Sequence, residues 1–180
     1  GGSCFPKDTS ALVETAKSNN SNISIVETVV KYNKNRKHDM ADKILRVFNK
    51  DYENKKVSIL GLSFKPETDD MRESPSLDII PILQEKGIKI SAFDPVAMNE
   101  AKKFLKNIEF AENLENCIQD CDALVILTEW NEFRSLFPDY LGKHMKGNTV
   151  IDLRNALDPE NFVDSNFNLV QIGRARKTNQ

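Results

Sequence analysis

Glycine is scarce in this chain of 180 residues: there are seven, and no Gly-x-Gly-x-x-Gly run occurs among them. Where such a run would fall, after the first strand-like segment, Gly61 stands with Ser63 and Pro66 in the other two glycine positions. A pyrophosphate needs those glycines to come close to the backbone, so this segment does not cradle a dinucleotide in the usual manner. Cysteine is sparse and odd in number, with three residues. That argues against a disulfide framework and fits a reducing cytoplasm. Cys117 and Cys121, four positions apart, read as small core fillers, since neither histidine is close enough in sequence to complete a metal site. The two histidines, His38 and His144, read as solvated surface residues, neither placed as a general base. The net charge of −2 leaves no basic footprint for nucleic acid or an anionic membrane. No apolar run approaches the ~20 residues needed to span a bilayer.

What is present is a chain long enough for one ordinary domain plus an extra element, at ~150 residues per domain. Helix-like sequence runs from Pro6 to about Lys17, and residues 18–22 form a polar break. Ile23, Val26, Val30, Met40, Ile44, Leu45 and Phe48 then recur at helical spacing, predicting one long helix over residues 24–48. Its middle, residues 31–39, is almost wholly polar, as suits a helix that bridges two domains and packs at its ends.

From residue 51 the pattern changes to strands alternating with helices. Strands are expected over 57–62, 88–93, 122–127, 149–152 and 169–172, with a short edge strand at 108–110. Helices are expected over 75–86, 99–105 and 114–120, with helical turns at 132–136 and 138–145. Ser74 is placed to cap the first of these, Pro75 to open it, Gly87 to stop it and Pro81 to kink it. The fold class is therefore α/β, a Rossmann-like parallel sheet covered by helices on both faces and preceded by a long connecting helix. The division is residues 1–50 for the helical segment and 51–180 for the sheet domain, with a polar, frayed tail from residue 174.

An open parallel sheet takes its ligand at the carboxyl ends of its strands. That selects the loops at residues 63–73, 94–97, 128–131 and 153–156. Lys65 and Arg72 sit on the first, and each could hold a phosphate. Arg72 could equally pair with Asp69, Asp70 or Glu73. Trp130, the only tryptophan, could stack on a ligand, although packing is its commoner role.

The N-terminal stretch Gly1-Gly2-Ser3-Cys4-Phe5-Pro6-Lys7-Asp8-Thr9 stands apart. Two glycines admit a close backbone approach, and a cysteine follows just before a helix start. The positive end of the helix and the cation of Lys7 both favour a thiolate. Spacing alone leaves two readings: a nucleophile, or a cloning scar followed by an inert buried cysteine. Asp8, one helical turn on, could orient or deprotonate a water, or simply stabilise the first turn.

Gly-Gly-Ser-Cys-Phe-Pro-Lys-Asp resembles the active-site signature of the UDP-glucose/GDP-mannose dehydrogenase family. Residues 61–75, Gly-Leu-Ser-Phe-Lys-Pro-Glu-Thr-Asp-Asp-Met-Arg-Glu-Ser-Pro, resemble that family's second signature. Thr128-Glu129-Trp130 and Asp152-Leu153-Arg154-Asn155 follow in the expected order. The resemblance implies the C-terminal part of a larger enzyme, lacking an upstream NAD-binding domain. It implies an oxidation of a nucleotide-sugar primary alcohol, with NAD as cofactor and Cys4 as the covalent nucleophile. Phe5 and Thr128-Glu129-Trp130 lean towards UDP-glucose as the substrate; GDP-mannose or a UDP-N-acetylhexosamine are the alternatives. A nucleotide-binding or dimerisation module without chemistry is the rival from another class. By resemblance Gly1, Phe64, Lys65 and Arg154 bind the nucleotide sugar, Asn155 being the alternative to its neighbour. Cys4 and Arg72 meet NAD, Asp8 assists catalysis, and a homodimer forms along the long helix.

Overall fold

The structure, a computed structural model, describes residues 4–174. Two helices come first, α1 (Cys4–Ser18) and α2 (Ser24–Arg46). The break between them is a turn in which Ser21 N–H returns to the Ala16 carbonyl at 2.9 Å. Then follow β1 (Lys56–Leu60), α3 (Ser76–Glu85), β2 (Lys89–Phe93), α4 (Met98–Phe104) and β3 (Glu109–Phe110). The second half comprises α5 (Leu114–Ile118), β4 (Ala123–Ile126), α6 (Pro138–His144), β5 (Thr149–Asp152) and β6 (Asn168–Gln171), with single 3₁₀ turns after β4 and β5. All six strands are parallel, in the order β3-β2-β1-β4-β5-β6. This is the Rossmann order, and the chain direction of the winding reverses between β1 and β4.

The central strands are buried on both faces, which is why they read as continuous apolar runs. Register pairs Ile59 with Val125 and Leu60 with Ile126. Val57, Ile59, Ala123 and Val125 face a core closed by α2, α3 and α4; Leu60, Leu124 and Ile126 face one closed by α5, α6 and Phe133. Each fully buried Leu or Ile contributes about 1.5–3 kcal/mol. The last third of α2 belongs to the first core, through Ala41, Ile44, Leu45 and the following Phe48. Its polar middle is held as well: Lys37 Nζ lies 2.8 Å from Asp78 and 3.1 Å from Glu73. Burial opposes a charge on Lys37, but its bonds to Asp78 and Glu73 outweigh that and raise its pKa. Among the described residues no helix is long and apolar enough to cross a membrane.

Four details differ from the expected pattern. The helix begins at Cys4 itself, so the cysteine stands in the first turn of α1 rather than ahead of it. Ser74 accepts the Ser76 N–H at 3.3 Å, yet gives its own proton to the Leu62 carbonyl at 2.5 Å, pinning the loop to the end of β1. His144 is half-buried, tilted against the Tyr140 ring with centroids 4.7 Å apart. Pro81 lies on the exposed side of α3, which runs through it as one helix.

Candidate functional site

Gly61 ends β1 at the point where the winding reverses. Its φ is +87°, and a Cβ there would fall 2.4 Å from Cβ of Thr128. The glycine is thus required by the close crossing of two protein loops. Thr128 Oγ1 then donates to the Ser63 carbonyl at 2.6 Å, tying the loop after β4 to the loop after β1.

Asp94, at the end of β2, organises three loops at once. Its Oδ2 accepts from Leu62 N at 2.7 Å, Ser63 N at 3.1 Å and Trp130 Nε1 at 3.3 Å. Ser63 Oγ lies 3.2 Å from the same oxygen and 2.9 Å from the Lys65 carbonyl, sharing one proton between them. Oδ1 takes Val96 N at 3.0 Å and Ala97 N at 2.8 Å. In a dinucleotide-binding sheet an acidic residue in this region holds a ribose. Here the carboxylate is buried and spent on the protein's own backbone. Trp130 is buried too, so its role is packing plus this one hydrogen bond. Asp152 does the same work at the end of β5, accepting from Arg154 N at 3.1 Å, Leu157 N at 2.9 Å and Gln171 Nε2 at 3.0 Å.

These frames display the predicted residues. Phe64 is half-buried, and the exposed Lys65 leans over its ring with Nζ 5.6 Å from the centroid. Arg72 takes the alternative left open by its spacing. Its Nε and Nη2 grip Asp70 at 2.9 and 2.8 Å, while the guanidinium stays largely exposed. Arg154 pairs with Glu129 across the loops after β5 and β4. Asn155 is committed elsewhere, bonding the Ile172 carbonyl and N–H at 3.0 Å each, which leaves Arg154 as the cation of this loop.

Cys4 is exposed, unlike Cys117 and Cys121. Burial pushes the Cys117 thiol up to about 12 and the Cys121 thiol up to about 11, so neither ionises near neutrality. Asp8, one turn along α1, is exposed with Lys7 Nζ 3.7 Å away. Gly1 lies outside the described residues.

The Arg154 guanidinium holds the Glu129 carboxyl below its ordinary 4.5. The folded state therefore takes up that proton less readily than the unfolded one. The pair's contribution is complete above the ordinary value and is lost as pH falls through the lowered one. Glu129→Gln should flatten the acid limb of melting temperature against pH below about pH 5. Identical acid limbs in the two proteins would refute a stabilising pair.

Fold and loops together define an α/β unit of the Rossmann type whose first loop is not a glycine cradle. The chain belongs to the UDP-glucose/GDP-mannose dehydrogenase family: residues 58–159 match that family's UDP binding domain and residues 1–35 its central domain. It is 42% identical over 174 residues to a UDP-glucose 6-dehydrogenase of Rhizobium meliloti, covering 97% of this chain and 40% of that protein. It is 38% identical over 175 residues to a UDP-glucose 6-dehydrogenase of Rickettsia conorii, covering 96% and 40%. The chain thus spans about 40% of the length of these curated relatives. Among solved structures, an NDP-N-acetyl-D-galactosaminuronic acid dehydrogenase from Methanosarcina mazei superimposes with a TM-score of 0.83 at 26% identity, over 97% of this chain and 38% of that one. A UDP-glucose dehydrogenase from Pyrobaculum islandicum superimposes with a TM-score of 0.67 at 29% identity, over 84% and 34%.

Proposed function

We propose that this chain forms the nucleotide-sugar half of an NAD-dependent 6-dehydrogenase acting on UDP-glucose. The observation that carries the reading is the placing of Lys65 and Arg154 on loops that flank the winding reversal. A diphosphate would take Lys65 and Arg154 as its cations, and Phe64 would lie against the base or sugar. Residues 51–180 are read as this nucleotide-sugar unit, and residues 1–50 as the connecting and dimerisation segment. Ile25, Val29 and Tyr32 lie on one side of α2 and are exposed, as are Phe5 and Leu12 on α1. Such a stripe supports a homodimer along the helix. Three free thiols suit a cytoplasmic setting.

The residues described do not fit NAD. Gly61 packs on Thr128, Ser63 and Pro66 replace the cradle, and Asp94 has no oxygen left for a ribose. NAD therefore belongs to a domain outside this chain, and both oxidations with it. Arg72 would reach towards that cofactor, with Nη1 still unengaged among the described residues. The part of this chain is covalent. Once the sugar C6 is an aldehyde, the Cys4 thiolate adds to that carbon and the carbonyl oxygen takes a proton, giving a thiohemiacetal. After the second oxidation makes a thioester, water adds to its carbonyl and the C–S bond breaks, releasing carboxylate and thiol. Asp8 is placed to orient that water or accept its proton.

The 180-residue chain alone should reduce no NAD with any nucleotide sugar, whereas the full-length coding product should form two NADH per UDP-glucose consumed. Turnover by the chain alone would overturn this division of labour.

A further inference from the structure

A second cavity among the described residues is far from the loops above. It has a volume of about 870 Å³ and lies between the last turns of α2 and the edge strand β6. β6 pairs only with β5, and α2 stops short of covering it. The walls mix apolar residues, Phe162 and Phe167 among them, with Asn166, Asn168 and Gln171. Among the described residues three cations border the space: Lys43 and Arg46 from α2, and Arg174 beyond β6. No aspartate or glutamate lines it. Among the described residues Lys43 and Arg46 pair with no carboxylate, and the one bond recorded for Arg174 is to Gln171 Oε1 at 3.2 Å.

Lys43 and Arg46 also offset the negative end of α2, and at a helix terminus that would suffice to explain them. It does not explain Arg174, which comes from the far wall. In a chain of net charge −2, three cations and no acid around one cavity are a local reversal of sign. The volume lies in the range of small-molecule sites, which are mostly apolar with a few polar groups that fix orientation.

We propose that this cavity binds a phosphorylated small molecule with a flat apolar body, its phosphates held by Lys43, Arg46 and Arg174 and its body against Phe162 and Phe167. The site is separate from the one proposed for the nucleotide sugar and does not depend on it. Guanidinium forks and an ammonium suit phosphate oxygens, and the aromatic walls suit a nucleobase-sized ring.

The test uses ATP as probe, inorganic tripolyphosphate as the anion alone, and amide NMR shifts of the 180-residue chain. ATP should produce saturable shifts centred on Asn166, Asn168 and Val170. Lys43→Gln with Arg46→Gln should weaken ATP at least about tenfold, since two charge-assisted contacts go while both replacements remain good helix formers. Lys65→Gln should leave it unchanged. If the double variant does not fold, Arg174→Gln on its exposed segment serves instead, with the same direction of effect. Shifts that do not saturate by about 10 mM overturn the proposal. So do shifts that centre on Lys65 and yield to UDP, or equal ATP affinity in variant and parent. Tripolyphosphate binding as tightly as ATP overturns the part given to the two phenylalanines.

Discussion

Asp94→Asn should lower the melting temperature of the chain by roughly 6–20 °C, from a loss of about 3–5 kcal/mol. The size follows from the division of donors. Oδ2 faces Leu62 N, Ser63 N and Trp130 Nε1, and Oδ1 faces Val96 N and Ala97 N. An asparagine keeps one oxygen. Whichever way it turns, its NH₂ points at backbone N–H groups that have no other acceptor, in a place water does not reach. The loops after β1, β2 and β4 should loosen together. Binding of UDP should therefore weaken even though Asp94 touches no ligand in the proposed site. Thermal melts and UDP titration of the variant check both parts. A melting temperature within about 2 °C of the parent would show that the carboxylate does not hold the loops.

The second large effect is on chemistry. In the full-length dehydrogenase proposed above, Cys4→Ser should reduce uronate formation by roughly 10³-fold or more, because a serine hydroxyl stays protonated at neutral pH and is a far weaker nucleophile. The first oxidation needs no bond to the protein and should survive, so NADH appears up to one equivalent at most while acid does not. Cys117→Ser and Cys121→Ser should leave the ratio of NADH to acid untouched, since burial keeps both thiols neutral. Quenched-flow counting of NADH and uronate in the variants decides it. Normal acid production by Cys4→Ser would remove Cys4 from the mechanism.

Much of the sheet could be read from the chain, because doubly buried parallel strands write themselves as apolar runs. Residues 123–126 are the plainest case, with every position buried. Gly61 was also legible as a marked position, although its cause is the nearness of Thr128 and not a phosphate. The organising role of Asp94 was not legible. Its partners are mostly backbone N–H groups, which carry no residue code, and Asp94-Pro95 after a strand reads simply as a turn. Lys37 was hidden in the same way: a lysine in a polar helix middle looks solvated until the fold brings Asp78 and Glu73 to it. Arg72 could not be resolved between a ligand and its neighbours by spacing, because Asp69, Asp70 and Glu73 all lie within reach; the structure puts it on Asp70. Beyond the folded frame, the site residues stood out through their resemblance to a family, since exposed cations on loops have no periodicity to betray them.

This sheet is proposed as a nucleotide-sugar site and not an NAD site. Isothermal titration of the 180-residue chain with UDP, UDP-glucose and NAD tests that most directly. UDP and UDP-glucose should bind weakly, with Kd on the order of 0.1–1 mM, about −4 to −5.5 kcal/mol, as expected for two exposed cations and one wall of a cleft. Lys65→Gln and Arg154→Gln should each weaken that binding, and NAD should give no specific heat. NAD binding tighter than UDP, or UDP binding indifferent to both substitutions, would contradict the assignment.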